Sequence, residues 1–115
     1  MTGNDIWAAE EKAKLYASEN DAFYVDQFNN ISSVRAHYLN TGPEIYEHFG
    51  DNLTAFVASV GSGGTFIGTS TFLKEQSRSI LTACVEPKGS EVLAGKPITR
   101  AKHIMQGTGY GVKVP

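Results

Sequence analysis

AFVASVGSGGTFIGTSTFLKE spans residues 55–75 and joins three sequence patterns in one run. The apolar stretch 55–60 predicts a buried strand, and the stretch 65–76 predicts a helix. The glycine-rich GSGGT between them (61–65) predicts a turn that leaves backbone N–H groups exposed at the positive end of the helix dipole. We therefore expect a cradle for a phosphate or a carboxylate, to which the hydroxyls of Ser62 and Thr65 also donate. A turn that uses glycine only for its backbone freedom is the simpler alternative.

A second apolar stretch follows this helix and predicts another strand, over residues 80–85. Two strands separated by one helix predict a right-handed βαβ unit with a parallel sheet, which places the chain in the α/β class. Because the stretch 55–60 has no polar alternation, we expect the sheet to be buried on both faces. Cys84 is the single cysteine, so no disulfide framework is expected, and its place in the second strand predicts a small core residue.

The other elements are predicted from helical spacing, capping residues and short aromatic or β-branched runs. Apolar residues at three- and four-residue intervals predict a helix over 5–19, with Asp5 as its N-cap. Gly42 is expected to end one short helix before Pro43 begins the next. The remaining predictions, in chain order, are a strand over 22–27 and helices over 34–39, 43–49 and 90–94.

Composition and charge argue against several classes of protein. The 115 residues suit one domain, and 41% hydrophobic with 19% charged residues is ordinary for a globular protein. A net charge of −2 without a basic stripe gives no reason to expect nucleic acid or a membrane as a partner. The charged N-terminus and the lack of a long apolar run predict a cytoplasmic protein. The histidines share no metal-ligand spacing, so no metal site is expected.

A nucleotide is the first alternative ligand for the glycine-rich turn. Glu86 follows the second strand at the spacing where a dinucleotide-binding fold carries its ribose-binding acid. That fingerprint needs a small residue at its third glycine, however, and Phe66 occupies the position. The P-loop motif also fails, since the turn supplies no Lys followed by Ser or Thr. A nucleotide-binding domain therefore ranks below other phosphate ligands.

Four ordered motifs resemble those of one enzyme family. They are VASVGSGGTFIG around the turn, DQFNN at 26–30, AHYLNTGPEI at 36–45, and the pair VEPKGS (85–90) and IMQGTGYGVKVP (104–115). These segments are similar to those of the fold-type II pyridoxal-phosphate enzymes, in the cysteine synthase and cystathionine β-synthase group. The resemblance covers nearly the whole chain. The chain departs from the family pattern at 31–33, where Ile-Ser-Ser replaces Pro-Ala-Asn, and at Lys113.

The resemblance implies a role for each motif. Gln27 would bind the substrate carboxylate, while Gly107 and Gly109 would line the mouth of the active site, where an absent side chain leaves room. The complete enzyme would act on serine, O-acetylserine or cysteine by β-replacement or β-elimination, as a homodimer. The residues of the turn would bind the 5′-phosphate of pyridoxal phosphate, and they are Gly61, Ser62, Gly63, Gly64 and Thr65.

The same resemblance implies an incomplete fold. The family has a three-layer α/β fold with a doubly wound, Rossmann-like parallel sheet, and this chain matches about the middle third of the family's length. Residues 1–45 would form the end of the small subdomain and the crossover into the sheet, and 46–115 the βαβ part that binds the phosphate, in one compact unit. The family's Schiff-base lysine lies upstream of any residue present, so we assign no catalytic residue. A non-catalytic interaction or assembly module with open sheet edges is the alternative function.

Overall fold

The computed structural model describes residues 6–100 and 102–110. A π-helical turn, His37–Thr41, and a 3-10 turn, Gly50–Asn52, also form, one on each side of the helix Gly42–Phe49. The helix predicted over 5–19 is confirmed from its second residue onward, and its predicted cap Asp5 lies outside the described residues. The elements in chain order are α1 (Ile6–Glu19), α2 (Ser32–Ala36), α3 (Gly42–Phe49), β1 (Ala55–Ser59), α4 (Gly64–Gln76) and β2 (Leu81–Val85).

β1 and β2 form a parallel pair in which Ala55 lies opposite Leu81 and Ser59 opposite Val85. The chain passes from one strand to the other through α4, so the predicted βαβ unit and the α/β class are confirmed. The inner face of the sheet packs on α4, where the ring of Phe66 stacks on that of Phe56 at 6.1 Å between centroids. The sheet is incomplete relative to a doubly wound fold, because it holds two strands within the described part of the chain.

The prediction that the sheet is buried on both faces was wrong. The outer face presents Val57 and Leu81, whose exposed fractions are 57% and 61%, and Cys84 is exposed as well. Parallel strands need a layer of helices on each side to become buried. Among residues 6–100 and 102–110, α4 covers the inner face and no element covers the outer one. Cys84 lies opposite Ala58 and so belongs to the inner face, but it is exposed and is not a core residue.

α2, the π turn and α3 run as one continuous helix that packs along α4. Gly42 was predicted to end a helix, but its φ of −61° is helical and the chain continues through it. Two features explain the difference. A Cβ at Gly42 would lie 2.8 Å from Cβ of Phe72, so glycine is needed here for helix packing. Pro43 lacks an N–H group, and the wider π turn just before it avoids the clash that proline causes in a regular helix.

Residues 22–27 do not form the predicted strand. Exposure alternates along this segment as it does in a strand, and Phe23 and Val25 are 86% and 61% exposed. A strand also requires a neighbour to pair with, and the sheet of the described residues contains β1 and β2 only. The segment instead ends in a turn in which Asp26 has a φ of +50° and the Asn30 amide donates to the Val25 carbonyl at 2.8 Å.

The helix predicted over 90–94 is a turn. The Glu86 carboxylate accepts hydrogen bonds from the backbone N–H groups of Leu93 at 2.8 Å and Ala94 at 3.0 Å. These contacts curl the chain around the carboxylate, and Gly95 then reverses it with a φ of +75°. Tertiary hydrogen bonding to a residue beyond the segment therefore overrides the local helical preference.

No helix among the described residues is both long and apolar enough to cross a membrane.

Candidate functional site

The glycine-rich turn lies where the end of β1 meets the start of α4. Gly63 is the N-cap of α4, with a φ of +90° that favours glycine, and no side chain caps the helix. The first backbone bond at this end runs from the N–H of Ile67 to the Gly63 carbonyl at 2.9 Å. The preceding N–H groups, those of Gly64, Thr65 and Phe66, thus have no acceptor within the helix. This helix end fits an anion.

The C-terminal glycine segment lies against the same turn. A Cβ at Gly61 would collide with the carbonyl oxygen of Gly107, so a glycine is required at the contact. The N–H of Gly109 lies 3.4 Å from the carbonyl oxygen of Val60, the last residue before the turn. The structure therefore brings together the two glycine-rich motifs that are far apart in the sequence.

Gln27 also lies beside the turn. It lines a cavity of about 140 Å³ together with Ser62 and Gly64. The same cavity is bordered by Asn30 and Ser33, and its described lining contains no charged residue. The attraction for an anion at this site therefore comes from the helix dipole, backbone N–H groups and hydroxyls rather than from a basic side chain.

His37 hydrogen-bonds both within its own π turn and to the glycine-rich turn. Its Nδ1 lies 2.9 Å from the hydroxyl of Thr41, and its Nε2 lies 3.0 Å from the hydroxyl of Thr65. In a neutral imidazole one nitrogen donates and the other accepts, so this chain of hydrogen bonds has a direction. When Thr41 donates to Nδ1, Nε2 donates to Thr65, and the Thr65 hydroxyl then keeps its hydrogen for a bound anion.

The neighbouring Tyr38 fixes the π turn on α4. Its hydroxyl donates to the Glu75 carboxylate at 2.6 Å, and its ring packs edge-on to Phe72 at 5.8 Å. The hydrogen bond to Glu75 and the negative charge of that carboxylate raise the pKa of Tyr38 above its ordinary value. Because His37 precedes Tyr38 in the same turn, this contact holds the imidazole in position opposite Thr65.

The contact between His37 and Thr65 was not predicted from the sequence. No local pattern reveals it, since the two residues are 28 positions apart and meet only through helix packing. A chain of aromatic contacts that links α1 to the glycine segment was not predicted either. The Phe28 ring lies 5.3 Å from that of Trp7 and 5.4 Å from that of Tyr110.

The geometry argues against the dinucleotide alternative. The third glycine of the fingerprint lets the helix pack closely on the strand, whereas here the Phe66 ring lies between α4 and β1. The carboxylate of Glu86 already accepts two backbone hydrogen bonds, so it is occupied rather than presented to a ribose. The described residues also contain no group of three or more side chains that could hold a metal ion.

Three lysines of the described residues have partners other than the turn. Lys14 donates to Glu10 at 2.6 Å, and Lys74 donates to the backbone carbonyl of Arg78 at 3.2 Å. Lys96 lies 3.8 Å from the Glu91 carboxylate. The cavity that holds Gln27 and Ser62 has no lysine among its described lining residues. Lys113 lies outside the described residues.

The site fits the 5′-phosphate of pyridoxal phosphate. The turn has no Cβ atoms at Gly61, Gly63 and Gly64, and Ser62 and Thr65 supply its two hydroxyls. A phosphate monoester at this helix end would accept from backbone N–H groups and hydroxyls. This set of neutral donors suits a dianion held by a helix end.

Comparisons with known proteins agree with this geometry. The chain is 41% identical over 109 residues to a cysteine synthase of Helicobacter pylori, and the match covers 94% of this chain and 35% of that protein. It is 39% identical over 90 residues to the O-acetylserine dependent cystathionine beta-synthase of Bacillus subtilis, covering 78% of this chain and 29% of the relative. The chain thus spans about a third of the length of the relatives it matches.

Solved structures give the same result at the level of the fold. The O-acetylserine dependent cystathionine beta-synthase from Helicobacter pylori superimposes with a TM-score of 0.85 at 39% identity, over 96% of this chain and 36% of that one. The family model described as pyridoxal-phosphate dependent enzyme matches residues 1–115. With this match over its whole length and with its cysteine synthase relatives, this chain belongs to the pyridoxal-phosphate-dependent enzyme family.

Proposed function

We propose that this chain is the cofactor-phosphate-binding part of a β-replacement or β-elimination enzyme of cysteine metabolism. The observation that carries the proposal is the open N-terminus of α4, with Gly63 as its cap and Thr65 hydrogen-bonded to His37. In the complete enzyme the substrate would be serine, O-acetylserine or cysteine. The relatives named cysteine synthase and cystathionine beta-synthase support this class of reaction.

In this proposal each residue of the site has the role that the family resemblance implies. The residues of the turn, Gly61 to Thr65, hold the 5′-phosphate. Gln27, across the small cavity from Ser62, binds the substrate carboxylate through its amide. Gly107 and Gly109 leave the mouth of the site open. Bound pyridoxal phosphate supplies an electron sink that makes the α-proton of an amino acid acidic.

The chain anchors the cofactor and lacks the Schiff-base lysine in this proposal. The positions of Lys14, Lys74 and Lys96, each engaged with other groups, support this view. We also propose a dimeric complete enzyme, a cytoplasmic location, and a division into residues 1–45 and 46–115. Residue 45 lies within α3, so the two parts would share a continuous helix.

Binding of 4′-deoxypyridoxine 5′-phosphate tests the phosphate site, because this analogue lacks the aldehyde and cannot react with surface lysines. Equilibrium dialysis of the full chain should give saturable binding that inorganic phosphate displaces. Thr65→Val and Ser62→Ala should each weaken binding about fivefold, the effect of one hydrogen bond worth about 1 kcal/mol. Thr71→Val, an exposed threonine on α4, is the matched control. Equal affinities for Thr65→Val and Thr71→Val would disprove the assignment.

The lysine assignment needs a separate experiment. The full chain is mixed with pyridoxal phosphate, reduced with borohydride and digested, and the modified lysines are mapped by mass spectrometry. Scattered, substoichiometric labelling is expected, because none of the described residues that line the cavity of Gln27 and Ser62 is a lysine. One lysine labelled stoichiometrically, with the labelling abolished by its substitution with Ala, would show that this chain contains a Schiff-base lysine.

An interaction or assembly module is the second candidate function. It is favoured by the uncovered outer face of the sheet, with Val57 and Leu81 exposed, and by residues 22–27, which lack a partner strand among the described residues. Open strand edges and apolar surface promote pairing with another chain. Light scattering at high protein concentration tests this candidate. An oligomer supports it, and a monomer at all concentrations refutes self-assembly.

A further inference from the structure

The start of α2 packs directly on the first turn of α4. A Cβ at Gly64 would collide with the hydroxyl oxygen of Ser33 and would lie 3.0 Å from the Cβ of that serine. One helical turn further along, a Cβ at Gly68 would lie 2.9 Å from the Cβ of His37. Ser33 and His37 are four residues apart and share one helical face, as Gly64 and Gly68 do on α4. The two glycines therefore let two polar side chains approach the end of α4 that carries the open N–H groups.

The backbone of Ser33 is fixed, whereas its hydroxyl has no partner in the described part of the chain. Its N–H donates to the Asn30 carbonyl at 3.1 Å, and its carbonyl accepts from the N–H of His37. Within residues 6–100 and 102–110 the hydroxyl of Ser33 makes no hydrogen bond. Ser33 is half-buried and lines the cavity that it shares with Gln27 and Ser62. A hydroxyl held in this way can donate one hydrogen bond to a ligand.

The contact with Gly64 places this hydroxyl on the phosphate side of the cavity. The N–H of Gly64 is one of the three that have no acceptor within α4. A phosphate group presents three strong acceptor oxygens, which can take more hydrogen bonds than these three N–H groups supply. Because the described lining of the cavity contains no charged residue, further donors to a phosphate have to be neutral groups. The Ser33 hydroxyl is such a donor, and it lies against the residue that begins α4.

We propose that the Ser33 hydroxyl donates to the phosphate held at the first turn of α4, so that α2 contacts the anion directly. The inference rests on the proposed function, because it adds a residue to the same phosphate site. Ser33 stands where the family pattern has asparagine, so this contact is a property of this chain and does not follow from the family motif. The anion is then held between two walls, the glycine-rich turn and the start of α2.

Equilibrium dialysis of the full chain with two ligands tests the contact. The ligands are 4′-deoxypyridoxine 5′-phosphate and inorganic phosphate, the second measured by its displacement of the first. Ser33→Ala should weaken both about fivefold, the effect of one lost hydrogen bond. An equal loss assigns the contact to the phosphate, which is the part that the two ligands share. Ser32→Ala is the matched control, because Ser32 is exposed and its hydrogen bond to Asn30 uses the backbone N–H, which alanine keeps.

Urea unfolding without ligand separates binding from a structural role. Because the Ser33 hydroxyl has no partner among the described residues, Ser33→Ala should unfold at the same urea midpoint as the wild type. Ser33→Cys is a second variant that keeps a side chain of similar shape but offers only a weak donor, and it should lose affinity as well.

The outcomes distinguish this inference from the proposed function. If the wild type binds both ligands, and Ser33→Ala and Ser33→Cys bind them as tightly as Ser32→Ala does, this inference alone is overturned. A loss of affinity confined to 4′-deoxypyridoxine 5′-phosphate would also overturn it, since the contact would then be to the ring. A fall in the urea midpoint of Ser33→Ala would show a structural role instead. A wild type that binds neither ligand would refute the proposed function and this inference together.

Discussion

The His37 imidazole should stabilise the fold and the anion site through the same two hydrogen bonds. His37→Phe keeps a planar ring but removes both bonds, to Thr41 at 2.9 Å and to Thr65 at 3.0 Å. A net hydrogen bond contributes about 0.5–1.5 kcal/mol. Thr65 is exposed and can bond to water instead, whereas Thr41 is half-buried. We therefore expect a loss of about 1.5 kcal/mol in the free energy of unfolding, most of it from the Thr41 bond.

A double-mutant cycle isolates the contact with Thr65. Urea unfolding of the wild type, His37→Phe, Thr65→Val and the double variant should give a coupling free energy of about 0.5 kcal/mol. Affinity for 4′-deoxypyridoxine 5′-phosphate should fall by a similar factor in each single variant, and little further in the double variant. His48→Phe, at an exposed histidine of α3, is the control. Additive effects within about 0.3 kcal/mol would refute the reasoning.

Three further predictions concern the scaffold. Leu73→Ala removes a fully buried side chain and should lower the free energy of unfolding by about 2–5 kcal/mol in urea titrations; a smaller loss would mean that the cavity collapses. Gly68→Ala drives a Cβ into the Val34 carbonyl oxygen and should cost about 1–3 kcal/mol, whereas an unchanged urea midpoint would contradict the close packing of α2 on α4. Because the pKa of Tyr38 is raised by its hydrogen bond to Glu75, the stabilisation is complete below its ordinary pKa of 10.0 and is lost as the pH rises through the raised value. The difference in urea midpoint between wild type and Tyr38→Phe should therefore shrink as the pH rises through the raised pKa. A difference that stays constant would show that the hydrogen bond to Glu75 does not stabilise the fold in this way.

The βαβ unit was predictable because its signals are local. Apolar runs marked both strands, and the glycines marked the turn, so the α/β class and the position of the glycine-rich turn followed from residues 55–85. Burial was not predictable in the same way. Whether Val57 and Leu81 are covered depends on elements beyond the two strands, and the described residues supply a helix layer on one face only.

The failed predictions share a dependence on distant partners. Residues 22–27 have the composition and the alternating exposure of a strand, yet pairing requires a neighbouring strand that the described residues do not provide. Gly42 has the chemistry of a helix end, but its contact with Phe72 gives it a packing role instead. The turn at 90–94 forms because Glu86 captures two backbone N–H groups.

The site shows the same division. The glycines and hydroxyls of the turn follow from the sequence motif, whereas the hydrogen bond between His37 and Thr65 depends on how the π turn sets the helix against α4. A one-residue change in helical phase would rotate the imidazole away from the hydroxyl. Such a contact has no signature in local sequence patterns.

The contact between Gly61 and the carbonyl of Gly107 limits how the cradle can be reused in protein design. Transplanting GSGGT alone into another strand–turn–helix unit would leave behind the segment that contacts its first glycine. That segment lies far along the chain. The turn and the segment that contains Gly107 would have to be grafted together as one unit. A library that varies Gly61 or Gly107 alone should yield few folded variants. A library that changes the backbones of both segments together should yield more of them.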